Sequence, residues 1–135
     1  MNAGSVAERI DALLPFLPVM DARVAGEWRG GDKNPDGSIT VPWMEYNQAV
    51  LDFIRACGVN GWLEPFDWMA WLPEALNLHD HREVLETASV ETLRKLLTLH
   101  IRRDRFFEGH LANMIADGHI AAILRRMAAI RTELL

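Results

Sequence analysis

Cysteine occurs once in this sequence, at Cys57, so no disulfide can form within the chain. Cys57 ends an apolar stretch, residues 50–57, where a buried inert thiol is favoured over a nucleophile. No apolar run approaches the ~18 residues of a membrane-spanning helix. The opening residues, with Asn2, Gly4 and Glu8, lack the basic and apolar regions of a signal peptide. A cytoplasmic location is the expectation by exclusion. Serine is scarce, and Ser5, Ser38 and Ser89 read as caps or turn residues. Nothing resembles a nucleophile elbow or a serine triad. The glycines at 26, 30, 31 and 37 lack the fixed spacing of a phosphate cradle leading into a helix, and Lys33 stands alone among them. Internal repeats and low-complexity segments are absent as well.

What is present is an ordinary globular composition. Half of the 135 residues are hydrophobic, too many for a disordered chain. That length suits one domain, here taken as 1–135, and lets folding bury roughly two-thirds of the unfolded surface without a staple. The net charge of -5 hides an asymmetry. Residues 1–87 carry 6 basic and 14 acidic side chains, whereas residues 88–135 carry 8 and 5. This reads as a dipolar, solubilising surface, with a basic C-terminal face for an acidic partner as the sharper reading.

Periodicity predicts a mainly α fold: a compact bundle of five or six helices with a small β-hairpin inserted in the N-terminal half. Ser5 and Glu8 fit a capping box ahead of Ile10, Leu13 and Leu14, and Pro15 and Pro18 are expected to stop that helix. The turn-rich stretch 26–37 is flanked by predicted strands at 24–28 and 38–41. Tyr46, Ala49, Val50, Phe53, Ile54 and Cys57 recur at helical spacing, giving a helix over about 44–56 with Gly58 as its left-handed cap. A short extended piece, 61–66, leads to a helix capped by Asp67, with Trp68, Trp71 and Leu72 on one face. Three C-terminal helices follow, at about 90–103, 108–117 and 119–133. Ser89 caps the first, whose inner stripe is Val90, Leu93, Leu96, Leu97 and Ile101. Ile120, Ile123, Leu124, Met127, Ile130 and Leu134 form the seam of the last.

Three stretches carry a resemblance. They are Ile39-Thr40-Val41-Pro42-Trp43-Met44-Glu45-Tyr46, then Phe66-Asp67-Trp68 with Trp71, then Leu97-Thr98 followed by Arg102 to Gly109, Gly118 and Ile123-Leu124. Together they resemble a family of small bacterial and archaeal proteins known only as a domain of unknown function (6508), over residues 8 to 131. Val41 and Trp43 stand where that pattern has Phe and Tyr, which keeps an apolar or aromatic side chain at both. The resemblance implies the fold unit. It carries no established activity, so no catalytic role follows from it.

The charged corner from Arg102 to His110 is the first candidate surface. Its charges suit the dipoles of the helices it joins, and an arginine could brace it against Asp104 or Glu108. The functional reading has Arg102 and Arg105 gripping a carboxylate or phosphate, with Glu108 beside them and His110 as a proton carrier. A second candidate is an aromatic cleft of Glu45, Tyr46, Asp67, Trp68 and Trp71; the five tryptophans otherwise read as core. His79 and His81 could chelate one ion from a strand, with His100, His110 or His119 brought near by the fold as a third ligand, but no spaced third ligand is evident and a polar linker is the favoured reading. Residues 108–131 form a helix–turn–helix with Arg125, Arg126 and Arg131, for which an ordinary antiparallel pair is favoured over a DNA-binding module.

The expected function is a non-enzymatic protein-interaction or adaptor module. The alternative is an anion or small-molecule binder, or an enzyme, working at the Arg102–Glu108–His110 corner. Nucleic-acid binding through the C-terminal helices is the third. No cofactor or metal is expected, a protein is the expected partner rather than nucleic acid or membrane, and homo-oligomerisation stays open.

Overall fold

Ser5 and Glu8 open the first helix, α1 (Val6–Asp11), as the sequence predicts. The Ser5 hydroxyl accepts from the Glu8 amide at 3.2 Å, and the Glu8 carboxylate accepts from the Ser5 amide in return. In this computed structural model, which describes residues 4–134, α1 is one of seven α-helices of five residues or more, against the five or six expected. Asn2 lies outside the described residues.

One reason for the larger number lies at the prolines. Pro15 and Pro18 do not merely stop α1. Each occupies the first turn of a new segment, the 3-10 turn Leu14–Phe16 and then α2 (Leu17–Asp21). Their missing N–H groups would have no helical partner there in any case.

The hairpin lies where expected, but its second strand does not. β1 (Gly26–Arg29) pairs antiparallel with β2 (Trp43–Tyr46), in the register Gly26↔Tyr46 to Arg29↔Trp43. Residues 38–41 contribute only one bridge, Lys33↔Ile39, inside the long loop. Pro42 lacks an N–H, whereas Trp43 and Tyr46 are strand formers, so regular pairing begins after the proline. The helix predicted from 44 therefore starts later, as α3 (Gln48–Val59). Asn47 caps it, its Oδ1 accepting from the Val50 amide at 3.0 Å. Gly58 stays inside that helix, and Gly61, at φ 76°, takes the left-handed turn instead.

Two bonds from Arg9 to the Asn60 and Gly61 carbonyls fix this turn, and the Arg9 guanidinium lies over the ring of the fully buried Trp62. Asp67 caps a turn rather than a helix, accepting from the Ala70 amide. The helix proper is α4 (Leu72–Asp80), followed by the four-residue α5 (Arg82–Leu85). His79 and Asp80 thus end a helix and are not part of a strand.

The C-terminal helices are α6 (Val90–Arg103), α7 (His110–Ala116) and α8 (His119–Glu133). α8 packs against α1, α2, α5, α6 and α7, which makes it the central element. Its seam is buried from Ile120 to Ile130, but Leu134 is exposed. α6 buries its predicted stripe from Leu93 onward, and also Arg94, Thr98, Leu99 and His100, so it is covered well beyond one face. The acidic and basic parts of the chain meet. Arg125 pairs with Asp21 and Arg131 with Asp11 at 2.9 Å, while within the basic part Arg126 donates to the Ala88 carbonyl. Among the described residues no helix is long and apolar enough to cross a membrane.

Candidate functional site

The charged corner divides into three parts. Glu108 is a brace, since its carboxylate accepts from the Met44 amide at 2.7 Å and ties β2 to the turn before α7. Asp104, which follows α6, takes part in the same tie. Its Oδ1 accepts from the Tyr46 hydroxyl at 2.7 Å and from the Leu111 amide at 2.9 Å. Tyr46 in turn accepts from the Ala112 amide. Burial, then the Asp104 carboxylate, pushes the Tyr46 phenol well above its usual range. Arg102 and Arg105 form no ion pair among the described residues, and Arg105 is exposed. The ties at this corner come from Glu108, Asp104 and Tyr46, and among the described residues no arginine paired with Asp104 or Glu108 is one of them.

His110, the remaining corner residue, turns inward. Its Nε2 lies 3.0 Å from Nδ1 of His100 on α6. The other nitrogen of His100, Nε2, lies 3.1 Å from Nε2 of His119, the first residue of α8. The ring of His79 meets that of His119 edge-on at 4.9 Å between centroids. Four of the five histidines thus form one row, drawn from α4, α6, α7 and α8. His81, the partner proposed for His79, stays outside it, 3.7 Å from Glu83.

The α7–α8 turn positions this row. Gly118, at φ 85°, ends α7 and starts α8, and a side chain there would meet Arg23. Asp117 accepts from the His119 amide at 3.0 Å through one oxygen and contacts His79 Nε2 at 2.6 Å through the other. Burial lowers the His79 pKa, but the hydrogen bonds to Asp117 and Asp80 outweigh it and raise the value overall. The other three behave oppositely. Burial, with His79 as the next contributor, depresses His119 to about 4. Burial holds His100 well below the usual histidine value and lowers His110, with Arg103 adding to the effect at His110. At neutral pH the row holds three neutral imidazoles beside one whose pKa is raised.

A pocket of about 220 Å³ opens between α4, α6 and α7. Leu72, Ala75, Leu76, Leu99 and Met114 form its apolar wall, and His79, His100, His110 and Arg103 line the remainder. The Arg103 guanidinium stacks over the Phe107 ring at 4.9 Å. Its Nε is sealed from solvent and has no acceptor among the described residues. A second pocket, also about 220 Å³, lies on the far side of the row, where His79, His119, Asp117 and Arg82 meet Leu78 and Leu85.

The candidate aromatic cleft does not assemble. Glu45 pairs with Arg29 at 2.7 Å, and with Tyr46 it borders a depression on the hairpin. Trp68 and Trp71 pack instead near Phe106 and Phe66, and none of Asp67, Trp68 and Trp71 borders that depression. Sequence reading places His100 and His119 only as histidines that the fold could bring near His79, and it assigns Arg103 no role. A signal existed for two of them: His100 falls three and four residues after Leu97 and Leu96, and His119 four before Ile123, so both lie on apolar faces. The three arginines of the helix–turn–helix reading are engaged by Asp21, Asp11 and Ala88.

A family model described as "Family of unknown function (DUF6508)" matches residues 5–133. No curated protein and no solved structure matches the chain.

Proposed function

We propose that this chain, which belongs to the DUF6508 family of unknown function, binds a compact organic anion in the α4–α6–α7 pocket. Arg103 supplies the charge, and His110 exchanges a proton with the ligand. The reading is supported by the convergence of Arg103, His100 and His110 on one pocket with an apolar wall. A guanidinium–carboxylate hydrogen bond is charge-assisted and roughly twice as strong as a neutral one. His110, whose pKa is lowered, lines the same pocket and can accept or donate there. The leucines and Met114 suit a short hydrocarbon part. At about 220 Å³ the pocket falls below the ~300–1,000 Å³ of drug-sized sites, which favours a small carboxylic acid. This is the small-molecule reading of the sequence, moved from Arg102 and Arg105 to Arg103. A cytoplasmic location belongs to the same proposal.

Thermal denaturation with acetate, butanoate, hexanoate or inorganic phosphate tests it. A ligand at 100 times its Kd adds about 2.7 kcal/mol. Stabilisation by a carboxylate that Arg103→Met abolishes supports the reading, and no stabilisation by any of the four would defeat it.

The adaptor reading keeps support from a different observation. Trp28, Trp43, Phe106 and Phe107 are each about half exposed or more, and three of them border one corner. Trp28 packs over Gly109, while Phe106 leans on Trp68 at 6.0 Å. Exposed apolar patches of this kind mark interaction sites. Capture of a protein by wild type that is lost with a folded Phe106→Ser, Trp43→Ser variant would support it.

A further inference from the structure

Both ring nitrogens of His100 face an imidazole nitrogen, His110 Nε2 at 3.0 Å and His119 Nε2 at 3.1 Å. A neutral imidazole carries one N–H and one lone pair, so His100 can donate to one neighbour only while accepting from the other. Two arrangements satisfy the row. In one, every N–H points from His110 toward His119; in the other, every N–H points back. The outer nitrogens, Nδ1 of His110 and Nδ1 of His119, have no hydrogen-bond partner among the described residues, yet neither is sealed from solvent. His110 borders the pocket of Arg103, and His119 borders the pocket of Asp117.

We infer that His110, His100 and His119 form a proton wire connecting these two pockets, which makes the Arg103 pocket a general acid–base site for a bound organic acid. The step balances. His110 Nδ1 takes a proton from the bound acid, and its Nε2 proton passes to His100 Nδ1. The His100 Nε2 proton passes to His119 Nε2, and His119 Nδ1 releases one to water in the second pocket. One proton has crossed, and all three rings are neutral before and after. Run backward, the wire protonates the bound anion. The identity of the acid rests on the function proposed above; the wire itself does not.

The surroundings favour neutral rings. His79 faces the row from α4, Arg82 from α5, Arg103 and Asp104 from α6 and its end, and Asp117 from the α7–α8 turn. Burial is the first reason that each of the three stays uncharged. A single metal ion does not fit the geometry, because the two contacts lie on opposite edges of His100 and do not converge. No group of three or more suitable ligands gathers among the described residues.

Nitrogen-15 NMR of the ligand-free, full-length protein near pH 7.5 tests the wire. The expected result is 15N–15N coupling across hydrogen bonds from His100 to both His110 and His119. His119→Phe should then change the tautomer ratio of His110, and it should not do so in a His100→Phe background. His119→Gln, which keeps a polar end, repeats the measurement if the Phe variant does not fold. Absence of either coupling in wild type overturns the wire, as does a His110 tautomer ratio indifferent to position 119. Titrating butanoate into the same sample separates the two proposals. Failure to bind removes the ligand reading and leaves the couplings standing.

Discussion

The Nε2 atoms of His100 and His119 lie 3.1 Å apart, with the two residues 3% and 4% exposed. At that separation one proton serves both nitrogens, and charging either ring in the interior is costly. This pair sets the acid sensitivity of the fold.

The native pKa of His119 is depressed to about 4 from 6.5. Between those values the unfolded chain binds more protons, so stability rises with pH across that window. The His119 contribution is complete above about 6.5 and lost as the pH falls toward 4, amounting to roughly 3 kcal/mol. His79, whose value is raised, acts the other way: its contribution is present below 6.5 and lost as the pH climbs through its native value. Urea unfolding at pH 7.5, 6, 5 and 4 should show wild type losing stability more steeply than His119→Phe. Parallel slopes would contradict the assignment.

Tyr46→Phe removes the donor to Asp104 and the acceptor of the Ala112 amide. A loss of about 1–3 kcal/mol is expected, as for other partly buried hydrogen bonds left incomplete. Equilibrium unfolding at pH 7 measures it directly, and a change below about 0.5 kcal/mol would show that the tie between hairpin and corner is dispensable.

The arginines of the corner should behave differently from its carboxylate. Glu108→Ala frees the Met44 amide and should cost about 0.5–1.5 kcal/mol. Arg105→Ala should stay within about 0.5 kcal/mol of wild type, as surface changes do. A larger loss from Arg105 than from Glu108 would restore the arginine brace.

Gly109 sits at φ 81°, and a Cβ there would approach the Trp28 ring to 2.5 Å. Gly109→Ala therefore combines backbone strain with a clash, and a loss above about 2 kcal/mol is expected. Adding Trp28→Ala should recover part of it by removing the clash while the strain remains. No recovery in the double variant would mean that strain accounts for the whole effect.

Much of the fold was legible wherever the signal was local. The capping box at Ser5, the Ser89 cap and the seam from Ile120 to Ile130 each follow from spacing within one helix. The second strand was not legible, because Trp43 to Tyr46 continues smoothly into the apolar spacing of α3; only Pro42 and Asn47 mark its ends. The histidine row was hidden for another reason. Its members come from four helices, and Asp117, beside His119, reaches His79 across 38 residues of sequence. Each histidine alone looks like an ordinary polar residue on or beside an apolar stripe. The corner showed its charges in sequence, but not that His110 turns inward while Glu108 turns toward β2.

The most direct test of the ligand site is calorimetric titration of butanoate into wild type, Arg103→Met and Arg105→Met, with folding of each variant checked beforehand. Binding to wild type and Arg105→Met that disappears in Arg103→Met is the predicted result. No heat of binding with wild type, or equal binding by Arg103→Met, would contradict the account.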